Sequence, residues 1–450
     1  LLKLADALFP KRSYIVQWVI WLAWEYLRTR GFLGYSYGIT GYSQWSVIPL
    51  LQIAGLAGVW GISALVLFPS FWLAAYFKDW HFIKRRDVKE ETASFILFFR
   101  KEKVPAIAWA AALITALIFG LINTKNFSSA PKTRIALIQH NTDPWLPSKA
   151  LTVKQANEEY RKDLSILKRL SDEALANLPK PQMVVWPETA FVPRIYWHET
   201  YRDSQDSWVI VKELLDYLTM KDVPFLIGND DARRDPSKNP KSHENYRIDY
   251  NASLLFENGK ITQIYRKLHL VPFTEHFPYE KQLPLIHQAL EKADTHFWEK
   301  GTEATVFSGP GFTFSTPICF EDTFGYLSRN FVRAGADVLI NMSNDAWSKS
   351  LPAQNQHLSM AVFRAVENYR PMVRSTVSGQ TCAIDPCGRV TAMSQPFIES
   401  WINVDIPLVK KNAFYTLHGD YLAVIFTIAA AALLIFGTIS GILRKVRQGR

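Results

Sequence analysis

The chain has 450 residues, 48% of them apolar, and carries a net charge of +10. That length admits a full domain with further elements. The basic residues crowd beside apolar runs instead of sharing one face with stacking aromatics, so the charge excludes nucleic-acid binding and points to a membrane protein's loops. Three cysteines, an odd count, argue against a disulfide framework while leaving a Cys382–Cys387 pair open; no zinc-ligand spacing occurs, and no metal or cofactor is expected.

In chain order, no basic-then-apolar leader with a small-residue cleavage site opens the sequence, so no signal peptide is expected. Ser13–Leu27 reads as a first membrane span. It carries Glu25, with Arg28 about one turn on, and a Glu25/Arg28 pair at the helix end is expected. Trp45–Tyr76 is uncharged throughout and holds at least one span, led by the mildly polar Tyr42, Ser43 and Gln44. Val104–Ile122 is a further uncharged run, and the 23 residues Tyr421–Leu443 are long enough to cross a bilayer.

Loop charge sets the orientation. Lys78–Lys103 holds eight Lys or Arg, and the tail Arg444-Lys445-Val446-Arg447 and the start (Lys3, Lys11, Arg12) are also basic. Thr29–Ser43 holds only Arg30. Basic loops stay in the cytoplasm, so four spans put both Thr29–Ser43 and residues 124–420 outside. The expected division is a transmembrane helical region over 1–123, an extracytoplasmic catalytic domain over 124–420, a transmembrane helix over 421–443 and a basic cytoplasmic tail over 444–450.

Within the soluble portion, short runs apolar on both faces predict strands at Arg134–Gln139, Met183–Trp186, Pro224–Ile227, Ala252–Phe256, Ile261–Tyr265, Phe312–Ile318, Val338–Asn341, Met372–Ser375 and Ile402–Val404. Amphipathic helices are predicted around Lys154–Leu175 and Gln354–Tyr369, with a weaker one over Asp206–Leu218. The polar, proline-containing Asp230–His243 reads as a loop. The fold class is therefore a layered α/β domain plus a transmembrane α-helical region.

Three strand ends carry chemistry. Cys319, in Thr316-Pro317-Ile318-Cys319-Phe320-Glu321-Asp322, ends an apolar run. A lone cysteine is by default a buried structural residue, as Cys382 and Cys387 are read. Here Glu321-Asp322-Thr323 looks like a helix start, which would lower the thiol pKa and supply N–H groups for an oxyanion. Glu188, in Val185-Trp186-Pro187-Glu188-Thr189, is either a helix cap or a general base for the thiol. Lys267, in Tyr265-Arg266-Lys267-Leu268-His269, is either a surface cation or a fixed charge for a tetrahedral oxyanion. Glu275, eight residues on, could orient Lys267 or share a proton network with Glu188. His269 and His276 lie in no motif that would place them beside the thiol.

In the order Glu, Lys, Cys, these motifs resemble the nitrilase superfamily over about residues 133–407, including Ala336-Asp337-Val338-Leu339-Ile340-Asn341. The resemblance implies a nitrilase-like αββα sandwich and a catalytic triad of Glu188, Lys267 and Cys319, supported by Glu275 and Glu321. With membrane segments on both sides, the chain is similar to the apolipoprotein N-acyltransferases. Trp186-Pro187-Glu188-Thr189-Ala190, Lys267–Glu275, Trp24-Glu25 with Arg28, Gly41–Gln44 and Gly55–Gly58 carry this similarity.

That family implies transfer of a fatty acyl chain from a membrane phospholipid, at sn-1 of phosphatidylethanolamine, through a Cys319 thioester to the N-terminal amine of a diacylglyceryl-cysteine apolipoprotein, with ping-pong kinetics. It also implies a bacterial cytoplasmic membrane and further spans upstream. The residue after the nucleophile, often Tyr in the family, is Phe320 here. Trp145, in Asn141-Thr142-Asp143-Pro144-Trp145, matches the region of a substrate-contacting Trp and equally suits an interface or core. Both are candidate substrate contacts. A membrane-tethered amidase acting on a small soluble substrate, or a non-catalytic scaffold module, are the competing readings.

Overall fold

The computed structural model describes residues 1–80, 88–142, 152–235, 247–292 and 297–448. The chain divides into two compact units, Leu1–Lys125 with Ala413–Arg450, and Asn126–Asn412.

The first unit is helical: α1 (Leu2–Leu8), α2 (Ser13–Leu27), α3 (Ala54–Trp80), α4 (Val88–Asn123) and the C-terminal helix Tyr421–Gln448. Among the described residues, three helices are long and apolar enough to cross a membrane: Ala54–Lys78, Phe95–Asn123 and Tyr421–Arg444. The predicted span Ser13–Leu27 forms the helix α2 and is not among those three. It has 15 residues, about 22 Å at 1.5 Å per residue, short of a hydrocarbon core of about 30 Å. Even so, α2 packs inside the bundle: the Trp18 ring meets Phe68 edge-on at 5.6 Å and Phe426 at 5.3 Å.

The expected Glu25/Arg28 pair does not form either. Glu25 Oε1 instead accepts from the Thr40 N–H at 3.0 Å and the Thr40 hydroxyl at 2.6 Å, while the Arg28 guanidinium lies 5.0 Å from the Trp24 ring centroid. A polar loop returning onto α2 satisfies the carboxylate better than a side chain on the same helix. Gly58 interrupts α3 with φ +63, and a Cβ there would lie 2.7 Å from the Tyr415 ring. Only glycine meets both demands.

The second unit holds twelve strands among the described residues: β1 (Lys132–Gln139), β2 (Met183–Val185), β3 (Phe225–Arg234), β4 (Arg247–Glu257), β5 (Lys260–Arg266), β6 (Phe307–Ser308), β7 (Thr313–Ser315), β8 (Val338–Ser343), β9 (Met372–Thr376), β10 (Cys382–Ile384), β11 (Val390–Met393) and β12 (Ser400–Pro407). They form two six-stranded sheets, ordered β12-β1-β2-β3-β4-β5 and β11-β10-β9-β8-β7-β6. In each sheet three consecutive strands run parallel, β1-β2-β3 and β7-β8-β9. The sheets meet face to face: Ser375 on β9 donates to the carbonyls of Ile138 at 2.9 Å and Val185 at 3.2 Å on the other sheet. Strands buried on both sides must be apolar on both sides, which is why Ile135–Ile138 and Val338–Ile340 are uninterrupted.

Helices cover the outer faces. The helix α5 (Val153–Ala176) starts at a capping box in which Thr152 and Gln155 exchange hydrogen bonds. It buries Leu164, Leu167, Leu170 and Ala174, one stripe of a 3.6-residue period, against the first sheet, with Ile210, Val211 and Leu214 of the helix Gln205–Thr219 beside them. The helices Gly325–Ala334 and Leu351–Asn368 carry the corresponding buried residues of the second half. The result is the αββα sandwich.

The strand β3 overruns the predicted loop Asp230–His243. Residues Asp230–Arg234 pair with Arg247–Asn251 of β4, because Asp231, fully buried, takes Arg266 at 2.7 Å and Arg233 at 2.9 Å. Ion pairing between strands removed the penalty that polar composition suggested. Residues 236–246 lie outside the described residues. The strands β6, β10 and β11 and the helices Ile195–Tyr201 and Pro284–Lys292 lie outside the predicted elements, and the helix expected to start at Glu321-Asp322-Thr323 runs over Gly325–Ala334.

Candidate active site

Glu188 follows β2 in a segment fixed from both sides. The Trp186 N–H donates to the Leu226 carbonyl at 2.9 Å, and its indole donates to Ser171 at 2.9 Å. The Glu188 carboxylate is buried and held at both oxygens. Oε1 accepts from Asn251 Nδ2 at 2.9 Å and lies 3.5 Å from Lys267 Nζ. Oε2 accepts from the Asn344 N–H at 2.8 Å.

Gly228 on β3 lies directly under this segment: a Cβ there would sit 2.3 Å from the Pro187 carbonyl oxygen and 2.7 Å from Glu188 Cα. Gly228→Ala must therefore push Glu188 aside. Turnover by that variant should fall about 10- to 100-fold, the scale of an ångström-level misplacement, with the protein still folding; a turnover assay beside a melting curve checks both.

Lys267 sits just past β5, its N–H tied to the Asn251 carbonyl at 2.8 Å. It is fully buried, with Nζ 2.8 Å from Glu275 Oε1. Burial works against its charge, but Glu275 and Glu188 outweigh burial and hold the ammonium well above its usual pKa. Glu275 is itself fixed by the Val271 N–H at 2.8 Å. Lys267 is therefore a permanent buried cation with two carboxylates around it.

Cys319 opens a 3₁₀ turn, Cys319–Thr323, with φ +49. That left-handed conformation is costly for a residue with a Cβ, and the surroundings impose it. Asn341 Nδ2 donates to the carbonyls of Pro317 at 3.0 Å and Cys319 at 3.4 Å. Glu321 ties the turn to the Lys267 segment: Oε1 accepts from the N–H groups of Leu268 at 2.7 Å and His269 at 2.9 Å, and Oε2 from that of Ile318 at 2.8 Å. The Tyr265 hydroxyl reaches both oxygens at 2.8 Å. Burial lifts the Glu321 carboxyl to about 7 against the pull of these donors.

The expected lowering of the thiol pKa is a correction. The α-helix begins only at Gly325, so no α-helix N-terminus points at Cys319. Burial first, and then the Glu188 carboxylate, push the thiol well above its usual pKa, with Lys267 pulling the other way. The resting residue is a thiol, partly accessible, which requires a base at the moment it reacts. Cys382 and Cys387 are buried free thiols.

The sequence-predicted residues Glu188, Lys267, Glu275, Cys319 and Glu321 thus come together from the segments that follow three strands, β2, β5 and β7. Phe320 is buried, edge-on to Phe324 at 4.9 Å and 5.8 Å from the His269 ring. Trp145 lies outside the described residues. His269 is engaged by the Tyr326 hydroxyl at 2.9 Å, and burial lowers its pKa to about 4. Sequence reasoning missed Asn251, Asn344 and Tyr265. Asn251 lies just before the predicted strand Ala252–Phe256, among the polar residues Arg247, Asp249 and Ser253 of β4, so no local signal marked it.

The carbon-nitrogen hydrolase family model matches residues 134–413, and the model for the apolipoprotein N-acyltransferase N-terminal domain matches residues 2–72. Apolipoprotein N-acyltransferase 1 of Treponema denticola is 43% identical over 99% of this chain and 80% of its own length. Its namesake in Treponema pallidum is 44% identical over 100% of this chain and 81% of its own length. The apolipoprotein N-acyltransferase of Geobacter metallireducens is 29% identical over 90% of this chain and 70% of its own. A nitrilase-type sandwich with a buried Glu and Lys beside a partly accessible Cys, the apolar helices and these matches lead to one conclusion: the chain belongs to the apolipoprotein N-acyltransferase family.

Proposed function

We propose that this membrane protein transfers a fatty acyl chain from a membrane phospholipid to the N-terminal amine of the diacylglyceryl-cysteine of an apolipoprotein, through a thioester on Cys319. The observation that carries the mechanism is the buried Lys267 ammonium between Glu188 and Glu275, next to a partly accessible thiol that cannot ionise unaided.

Glu188 takes the thiol proton as sulfur attacks the ester carbonyl, forming the C–S bond. The developing oxyanion is stabilised by Lys267, already charged and already oriented, so little reorganisation accompanies the step. Collapse breaks the ester C–O bond, and the lysophospholipid oxygen leaves with the proton that Glu188 held. In the second half-reaction the acceptor amine attacks the thioester, Glu188 receives its proton, the C–S bond breaks and the thiol is restored. An amide has formed, and two substrates have used one site in turn, the condition for ping-pong kinetics.

Both substrates are lipids, which leave a bilayer at a cost of about 0.8 kcal/mol per CH₂, so the enzyme must work at the membrane. Basic segments on the far sides of the spans Phe95–Asn123 and Tyr421–Arg444 favour an extracytoplasmic catalytic unit on the bacterial cytoplasmic membrane.

Residues 273–286 supply an apolar border for the lipid. Phe273, Tyr279, Leu283, Leu285 and Ile286 are exposed, Leu285 by 79%, while Phe277 is buried beneath Phe273. Leu285→Asp with Ile286→Asp should slow acyl loading about tenfold or more and leave the melting temperature unchanged; loading at the wild-type rate would remove the border from the account. The proposed activity is tested by incubating the purified chain with phosphatidylethanolamine and a diacylglyceryl-cysteine peptide. The peptide should gain the mass of one acyl chain on its amine, and release of free fatty acid alone would favour hydrolysis.

A further inference from the structure

A second charged cluster lies behind the Cys319 turn, and the proposed chemistry leaves it without a role. Asp322 comes from that turn, Asp345 from the turn after β8, His357 from the helix Leu351–Asn368 and Arg374 from β9. All four are buried, Asp322 and Arg374 completely. His357 bridges the two acids, with Nε2 2.7 Å from Asp322 Oδ1 and Nδ1 2.9 Å from Asp345 Oδ1. Arg374 donates to Asp322, and its Nη2 lies 3.0 Å from Asp345 Oδ2 and, more distantly, 3.4 Å from His357 Nδ1. Ser343 donates to Asp345 Oδ1 at 2.7 Å, and Gln354 to the Asp345 carbonyl at 3.4 Å. Two thiols lie near the cluster among the described residues: Cys382 on β10, which burial pushes up to about 12 and so keeps neutral, and Cys319 itself, which burial first and then Glu188 and Asp345 push up.

This geometry sets the protonation of His357. An ionised carboxylate only accepts, so an imidazole with a carboxylate at each nitrogen must donate from both, and only the imidazolium can. The count agrees: with His357 charged the cluster is two anions and two cations, and without that proton one negative charge is buried uncompensated. Burial opposes the proton, but Asp322 and Asp345 outweigh it and raise the pKa to about 9. Since the folded-state value is raised, the stabilisation is complete below about 6.5, the unfolded value. It is lost as pH rises through about 9.

The two ends of the bridge hold different parts of the site. Asp322 lies in the turn that keeps Cys319 at its left-handed φ of +49. Asp345 lies next to Asn344, whose N–H fixes Glu188 Oε2 at 2.8 Å. We propose that His357 is a positioning residue whose imidazolium clamps the Cys319 turn to the Asn344 turn, and so sets the nucleophile against its base. The proposal rests on the reading of Cys319 and Glu188 given above, and extends it to a residue that touches neither substrate.

The test measures Cys319 thioester formation by the full chain from phosphatidylethanolamine vesicles, over a range of donor concentration and from pH 6 to 10. His357→Gln keeps a donor and removes the charge. Its saturating rate should fall about 10- to 100-fold at an unchanged half-saturating donor concentration. The decline in rate above about pH 9 that the clamp predicts for the wild type should disappear. A wild-type rate in His357→Gln, or a loss confined to half-saturation, overturns the clamp. If the variant does not fold, the wild-type profile decides: a saturating rate that declines above about pH 9 below the unfolding transition supports the clamp, and one that still climbs at pH 10 overturns it. Cys319→Ala, run alongside, separates the two claims, because a thioester-free Cys319→Ala with a wild-type His357→Gln defeats the clamp alone, whereas acyl loading of Cys319→Ala defeats the underlying reading.

Discussion

Cys319→Ala is expected to abolish acyl transfer, a loss on the order of 10⁶-fold for the removal of a covalent nucleophile, and to leave the fold unchanged. The size of the effect follows from the surroundings. Neither other cysteine can substitute, since Cys382 and Cys387 are buried free thiols. The groups that would remain, Lys267 and Glu188, can polarise a carbonyl or take a proton but cannot carry the acyl chain between two substrates. The fold should persist because the turn is held through Glu321, Asn341 and backbone groups and not through sulfur. Alanine also tolerates the left-handed φ no worse than cysteine does. A transfer assay with a melting curve on the same preparation checks both halves, and residual activity within tenfold of wild type would contradict the nucleophile assignment.

Lys267→Met carries the second large effect, and it is double. Removing the cation strips the oxyanion of its fixed charge, about 10²- to 10³-fold in turnover if it acts like a single oxyanion donor. It also leaves Glu188 and Glu275 buried around an apolar chain. Breaking a buried pair by removing one partner costs about 3–5 kcal/mol, a large share of the roughly 5–15 kcal/mol that holds a domain folded. The two losses separate in Lys267→Met with Glu275→Gln. That double variant removes one uncompensated carboxylate, so it should regain part of the stability lost while activity stays low. Recovery of both together would mean that Lys267 matters only for folding.

How much of this was legible in the sequence depended on where the deciding interaction lay. Strands such as Arg134–Gln139 and Val338–Asn341 were readable because burial on both faces demands apolar residues at every position. The order Glu188, Lys267, Cys319 was readable because each side chain sits just past a strand-like run, although Ile261–Tyr265 before Lys267 is only partly apolar. What failed depended on partners distant in the chain. Asp230–Arg234 looked like loop until Asp231 met Arg266 across the sheet. Glu25 looked paired with Arg28 until Thr40 folded back onto it. Cys319 looked like an activated thiol at a helix start, but the helix begins later and the carboxylate that should deprotonate it also disfavours the anion. The His357 bridge joins residues 35 positions apart on one side, and nothing in the local pattern around Gln356-His357-Leu358 distinguishes it from a core-facing helix residue.

The central claim is that the acyl chain passes through sulfur. Its most direct test is intact-protein mass spectrometry of the purified chain after brief exposure to phosphatidylethanolamine without an acceptor. The account predicts a gain of one fatty acyl mass, mapped to the peptide containing Cys319, removed by neutral hydroxylamine, much slower to appear in Glu188→Gln and absent from Cys319→Ala. An unmodified protein that nevertheless acylates a lipoprotein peptide in the next step, or an acyl mass that persists in Cys319→Ala, would contradict it.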